Sequence, residues 1–367
     1  MRVAFFLGAL RRGGAESLVY DICRRFESAP FEICCIYRKE GDYSEAFHSL
    51  DMTLIHVRKT GGMHRYLRAL RKTILAQKID IVHAQSPSNA MVCICALLFT
   101  RVKIVLTLHG FTSAGISRWY RKMLYRGTRK ILCVSEYEKQ FYADKWKLPK
   151  DNKLRLVYNG IDFSKLDHNT PDSTLPPFVK KDTLNMVMVG SFRSGRSQSF
   201  ICRVAHELDE KGVPFRLYFI GRRDDKEYQR YDECVRYCQE HNLSEKVVFM
   251  GNRPDIPFLL KQMDLFVYAS EHDTFGIAII EALASNLPVI VNDWVVMNEI
   301  TENGKFATIY KTDDIDDCTS KILEFKRNME ENEEEMKLKN QRLAETVRKK
   351  YSIDSHIHNL YDIYLSC

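Results

Sequence analysis

Leu265-Phe266-Val267-Tyr268-Ala269-Ser270-Glu271-His272-Asp273-Thr274-Phe275-Gly276-Ile277-Ala278-Ile279-Ile280-Glu281-Ala282-Leu283-Ala284 packs a strand, a turn and a helix into one short stretch. Leu265–Tyr268 has the length and the apolar, partly β-branched content of a buried strand, and after a polar turn the apolar residues resume at helical density. Asp273 falls in the turn, the first helical turn exposes N–H groups around Gly276 to Ala278, and Glu281 follows on the helix. A diphosphate can rest on such a helix N-terminus, where unpaired amides and the helix dipole favour anions. The two carboxylates can then hold hydroxyl groups on either side, because a charged acceptor makes the stronger hydrogen bond.

Outward from this unit, short runs rich in β-branched and aromatic residues alternate with longer amphipathic stretches, the pattern of βαβ units around a parallel sheet. Strands are expected at Val3–Leu7, Phe31–Tyr37, Thr53–His56, Ile79–His83, Ile104–Leu108, Lys130–Val134 and Leu154–Val157. From Ser164 to Asp182 the periodicity lapses and Pro171, Pro176 and Pro177 stand among Asp, Ser and Thr, so this stretch reads as an interdomain linker. A second series follows at Leu184–Val189, Phe215–Ile220, Val247–Met250, Leu265–Tyr268, Val289–Val291 and Thr308–Tyr310. After Asp313 the chain reads as helical, with Glu333/Lys337 and Glu335/Lys339 as i,i+4 pairs on a solvated acidic face. A length of 367 residues suits two domains. The expected fold class is α/β, with one Rossmann-like domain over 1–165 and a second over 183–350.

The net charge of +7 is unevenly spread: residues 1–165 carry 29 Lys and Arg against 14 Asp and Glu, whereas residues 166–367 carry 26 against 34. A basic first domain suits an anionic partner. Arg118-Trp119-Tyr120-Arg121-Lys122-Met123-Leu124-Tyr125-Arg126 mixes cations and aromatics at helical spacing; it reads equally as a packing helix and as one that lies on an anionic membrane surface. No recognition motif accompanies the charge, so nucleic acid is not an expected partner. The run Val3–Leu10 fits a buried strand better than a signal peptide, because Arg11-Arg12 follows it without a cleavage motif. The other long apolar run, Ala90–Phe99, is too short to span a bilayer. Eleven cysteines without Cys-x-x-Cys pairs point to a reducing, cytoplasmic setting, and Cys234 and Cys238 lack the histidines a metal site would need.

Two further elements sit at strand ends. Gly13-Gly14-Ala15-Glu16 follows the first strand and precedes a helix expected over Ser17–Phe26; it can approach a ligand closely or serve as a tight turn. His109-Gly110 closes the fifth strand, where open α/β sheets bind ligands. Asp314-Ile315-Asp316 has the letters of a metal-binding Asp-x-Asp, but it opens a helix in an acidic segment, which helix N-terminal charge preference explains. No metal site is expected.

The element Asp273-x7-Glu281, followed by Leu287-Pro288-Val289, resembles the Glu-x7-Glu signature of retaining glycosyltransferases of family 4, enzymes of GT-B architecture. Gly13-Gly14-Ala15-Glu16, His109-Gly110, Val134-Ser135-Glu136, Asn159-Gly160-Ile161-Asp162 and Val189-Gly190-Ser191-Phe192 resemble that family's other landmarks in order, and Tyr351–Leu365 its terminal helix, which returns to the first domain. The resemblance implies two facing Rossmann-like domains, with 351–367 added to the first. It also implies transfer of a hexose-type sugar from a nucleotide sugar, UDP-type, to a hydroxyl of a glycan or lipid-linked acceptor for surface polysaccharide.

No cofactor is implied beyond that donor substrate, and the setting is cytoplasmic with peripheral contact at the inner face of the cell membrane. By resemblance Glu281 holds the ribose and Asp273 the transferred sugar. Thr274, Phe275, Gly276 and Ile277 meet the sugar and diphosphate, His109 sits beside the reacting sugar, and Gly13, Gly14 and Glu16 form the acceptor side, with Gly14 also near the donor. Two departures stand out. Asp273 replaces a glutamate, and Ser191 takes the place of the family's diphosphate-clamping arginine while Arg196 takes that of its lysine, so Arg193 is the candidate to supply the missing charge. A sugar-nucleotide epimerase of the same architecture and a non-catalytic anion- or lipid-binding module are the alternatives.

Overall fold

The computed structural model describes residues 1–111, 116–149, 151–167 and 183–367. The chain divides into two units, Met1–Ile161 with Tyr351–Cys367, and Asp162–Lys350.

The first unit carries β1 (Arg2–Leu7), α1 (Gly14–Cys23), β2 (Glu32–Tyr37), α2 (Ser44–His48), β3 (Leu54–His56), α3 (Met63–Ala76), β4 (Ile81–Ala84), α4 (Pro87–Ala96), β5 (Lys103–Thr107), α5 (Arg118–Gly127), β6 (Lys130–Cys133), α6 (Glu136–Trp146) and β7 (Leu154–Leu156). Its seven strands are all parallel, in the order β3-β2-β1-β4-β5-β6-β7. A parallel sheet needs cover on both faces, which is why its strands read as continuous apolar runs. One face packs Phe6, Ile36, Val82, Leu106 and Ile131 against Tyr66, Leu70, Ile74, Cys93 and Leu124. The other packs Phe5, Ile33, Cys35, Val105 and Leu132 against Val19, Ile22 and the C-terminal residues Ile353, Ile357, Leu360 and Tyr364.

The second unit carries α7 (Ser164–Asp167), β8 (Leu184–Val189), α8 (Gln198–Glu210), β9 (Phe215–Ile220), α9 (Tyr228–Glu240), β10 (Val247–Phe249), α10 (Ile256–Leu260), β11 (Leu265–Tyr268), α11 (Ile277–Ala284), β12 (Val289–Asn292), α12 (Val295–Ile300), β13 (Thr308–Tyr310), α13 (Ile315–Glu331) and α14 (Glu333–Tyr351); α15 (Ile353–Leu365) belongs to the first unit. Its six parallel strands run β10-β9-β8-β11-β12-β13.

Every expected strand is present, with ends shifted by a residue or two; Leu108 and Met250, for example, lie just past their strands. Three expectations are corrected. The first helix begins at Gly14 rather than Ser17 and ends at Cys23, because Gly13 already stands at the N-cap and its carbonyl accepts from Ser17 N at 2.8 Å. The expected linker opens with the short helix α7, while residues 168–182 lie outside the described residues. Tyr351 does not open the terminal helix: it ends α14, and Ser352 stops that helix and caps α15 by accepting from Ser355 N. All eleven cysteines are free thiols.

Candidate active site

In each sheet the strand order reverses once, and ligands of open α/β sheets bind beyond the carboxyl ends of the strands at that reversal. In the second unit the reversal lies between β8 and β11. The loops leaving these strands carry Arg193 and Arg196 on one side and Asp273 to Gly276 on the other.

The two loops are stitched together. Arg196 pairs with Ser270 as an isolated antiparallel bridge, Ser197 N donates to Ala269 O at 3.1 Å, and Ser270 Oγ donates to Gly195 O at 2.7 Å while accepting from Asp273 N at 3.2 Å. Asn292, at the end of β12, grips Ser270 from behind, accepting from its N–H at 3.1 Å and donating to its carbonyl at 2.9 Å. The turn that aims Asp273 is therefore anchored to the sheet by buried polar groups, which is the condition for holding a short carboxylate in one place.

Arg196 folds back over Gly190, where a Cβ would come within 2.5 Å of its Nη1, so only glycine leaves room for it. Its Nε stands 3.7 Å from Asp273 Oδ2. Burial opposes the guanidinium's charge, but Tyr268 and Asp273 outweigh it and its pKa is raised. The Tyr268 hydroxyl donates to the same Oδ2. Burial first, then the Asp273 charge, push the Tyr268 phenol far above its ordinary range, so it remains a proton donor. Arg193 is exposed and lies on the same loop, between β8 and Arg196.

Gly276 forms the N-cap of α11 with φ +82, a left-handed conformation suited to glycine, and a Cβ there would lie 2.9 Å from Ile300 Cδ1. No side chain caps this helix, Ile277 is exposed, Phe275 is buried beneath the turn, and Thr274 and Glu281 are half-buried. Asp273, Thr274, Phe275, Gly276, Ile277, Arg193 and Arg196 thus gather at one end of one sheet, with Glu281 on the following helix.

In the first unit the reversal falls between β1 and β4. Gly13 and Gly14 open α1 there, and Glu16 folds over Gly13, its Oε2 2.6 Å from where a Cβ would be. His109, just past β5, pairs through Nε2 with Gln85 Oε1 at 2.8 Å, just past β4. Burial, then the nearby His356, lower its pKa to about 4, so the imidazole is neutral near pH 7. Gly110 O accepts from Tyr142 Oη at 2.6 Å, which fixes the backbone beside it.

Gln85, Tyr268, Ser270 and Asn292 join the site without having been expected there, although Tyr268 and Ser270 lie in the same continuous stretch as Asp273. Their signal is positional: each stands at or just past a strand's carboxyl end, three of them at the strands flanking a reversal. Asp314 caps α13 by accepting from Asp317 N at 3.0 Å, and among the described residues no group of three or more His, Cys, Asp or Glu is arranged to hold a metal ion. No helix of the described residues is long and apolar enough to cross a membrane.

Residues 12–165 match the family model for Glycosyltransferase Family 4, and residues 176–343 match that for Glycosyl transferases group 1. The chain therefore belongs to the GT-B glycosyltransferases of the family 4 type. Among individual relatives, it is 25% identical over 268 residues to the UDP-Gal:alpha-D-GlcNAc-diphosphoundecaprenol alpha-1,3-galactosyltransferase of Escherichia coli, covering 68% of this chain and 67% of that one. In fold it is similar to a glycosyltransferase from Rickettsia africae (TM-score 0.84, 18% identity, 99% and 97% of the two chains) and to Anabaena Alr3699/HepE crystallised with UDP and glucose (TM-score 0.79, 15% identity, all of both chains). Matches of both halves to transferase families do not favour the epimerase or the non-catalytic module.

Proposed function

We propose that this glycosyltransferase moves a hexose from a UDP-type nucleotide sugar to a hydroxyl of a glycan or lipid-linked acceptor, retaining the anomeric configuration and using no metal ion. The observation that carries the reading is the convergence at the β8/β11 reversal of a half-buried arginine, a carboxylate and the uncapped start of α11. Arg196 and Arg193, with the first-turn amides of α11, stabilise the charge that grows on the departing diphosphate; fixed charges of this kind need no reorganisation as the bond breaks. Glu281 holds the ribose, and Asp273 with Thr274, Phe275, Gly276 and Ile277 holds the sugar. Neutral His109 accompanies the reacting sugar, and Gly13, Gly14 and Glu16 serve the acceptor. No covalent nucleophile is assigned. The diphosphoundecaprenol substrate in the name of the Escherichia coli relative and the UDP bound in HepE support the lipid-linked acceptor and the UDP donor.

The test is transfer itself, run over a panel of nucleotide sugars with polyprenyl-diphosphate-linked sugars as acceptors and a chelator present. Acceptor-dependent release of nucleoside diphosphate is expected, with the product keeping the donor's anomeric configuration. Loss of activity that Mg²⁺ or Mn²⁺ restores would overturn metal independence, an inverted product would overturn retention, and turnover of the nucleotide sugar without acceptor would favour an epimerase.

A lipid-linked acceptor makes peripheral membrane docking at the inner face of the cell membrane part of the reading. Residues 57–130 contain fifteen Lys and Arg and one acid, Asp80. Helix α4 packs between α3 and α5, and this stretch exposes Met63, Leu75, Leu98, Phe99 and Trp119 beside the exposed cations Arg65, Arg68, Lys72, Arg101, Arg118, Lys122 and Arg126. Arg71 donates to Leu98 O at 2.6 Å and so steadies the turn that presents the wholly exposed Phe99. Each cation near an anionic leaflet contributes about 1 kcal/mol, screened by salt. Co-sedimentation with phosphatidylglycerol vesicles is expected to fall with added salt and with Arg118→Glu and Lys122→Glu together. Binding indifferent to both would point to a soluble acceptor.

A further inference from the structure

We propose that Tyr268 is a positioning residue of the donor site, its buried hydroxyl taking the space that a longer carboxylate at position 273 would occupy and holding Asp273 against Arg196. The inference rests on the proposed donor role of Arg196 and Asp273.

Tyr268 ends β11 and is fully buried among apolar residues, with its ring stacked on Phe266 at 5.8 Å. Its carbonyl accepts from the Tyr310 hydroxyl at the end of β13, at 3.0 Å, so the residue is fixed from behind. A tyrosine placed there only to fill the core would leave a buried hydroxyl to satisfy. Here that hydroxyl reaches out of the core to Asp273 Oδ2, the oxygen that also faces Arg196 Nε. One carboxylate oxygen thus joins a phenol and a guanidinium. Arg196 Nε is buried and makes no hydrogen bond among the described residues, so at 3.7 Å it meets Asp273 Oδ2 as an ion pair, while the phenol makes the hydrogen bond to that oxygen.

The arrangement accounts for aspartate at 273. A carboxylate one methylene longer on the same anchored turn would run into the Tyr268 hydroxyl or be driven off Arg196. Tyrosine and aspartate are therefore matched, and each is disfavoured without the other.

A double-mutant cycle tests this: wild type, Tyr268→Phe, Asp273→Glu and the double variant, each measured for kcat and KM with the sugar donor and for the urea unfolding midpoint. Tyr268→Phe is expected to lower kcat about tenfold while its unfolding midpoint stays near wild type, the loss of one hydrogen bond at a poised group. Asp273→Glu made in the wild-type chain should lose at least tenfold in kcat/KM. Made in the Tyr268→Phe variant, the same change should cost less than about threefold, so that the two losses are strongly non-additive. Additive losses, or an Asp273→Glu enzyme as active as wild type with Tyr268 in place, would overturn the proposal. If wild type turns over no sugar donor, the functional reading fails on its own, and the match between Tyr268 and Asp273 is then read from the urea midpoints. Compensation there supports the match, and additivity overturns it.

Discussion

Arg196→Ala is expected to lower kcat/KM for sugar transfer by about 10²- to 10³-fold, the scale on which removing one preorganised electrostatic contact to a developing anion is felt. Arg196 is half-buried and charged, and Asp273 faces it from 3.7 Å across the mouth of the β8/β11 reversal. Its backbone pairing with Ser270 does not depend on the side chain, so the loop should keep its course in the variant. The Tyr268 hydroxyl remains to satisfy Asp273, which limits the cost in stability. Arg196→Lys should recover only part of the rate, because a point charge cannot reproduce the planar fork that matches a diphosphate. Steady-state rates on the two variants, with urea unfolding as the control for folding, decide the matter. A loss below about fivefold in Arg196→Ala would move the diphosphate clamp to Arg193.

The two sheets are legible because each strand is a short apolar run closed by a turn residue, and a parallel sheet buried on both faces requires just that. Boundaries are less so. Leu108 continues the apolar run of β5 but lies beyond it, and Gly14 reads as loop by composition yet is the first residue of α1. The candidate donor segment is legible for a different reason: Asp273 and Glu281 flank a helix start within one continuous stretch, so spacing alone places them. Gln85 and His109 are separated by a helix and a strand, and only the neighbouring of β4 and β5 brings them to 2.8 Å. Tyr268 is harder to read. An aromatic at the end of an apolar strand reads as core, and it is core; nothing in the residue order tells which way its hydroxyl is spent.

The claim on which everything else depends is that the segment from Asp273 to Glu281 holds a nucleotide sugar, with the nucleotide and sugar assigned to different carboxylates. Calorimetric titration of free UDP and of the UDP-sugar into Glu281→Gln and Asp273→Asn tests it most directly. Glu281 is assigned to the ribose, which both ligands carry, so Glu281→Gln should weaken both by about 10- to 100-fold, the equivalent of roughly 1.5–3 kcal/mol for a charged hydrogen-bond acceptor. Asp273 is assigned to the sugar, and its charge also competes for Arg196 from 3.7 Å. Asp273→Asn should therefore leave free UDP bound as tightly as in wild type or more so, while the UDP-sugar binds less tightly. Equal weakening of free UDP in both variants, or no effect of Glu281→Gln on either ligand, would contradict the account.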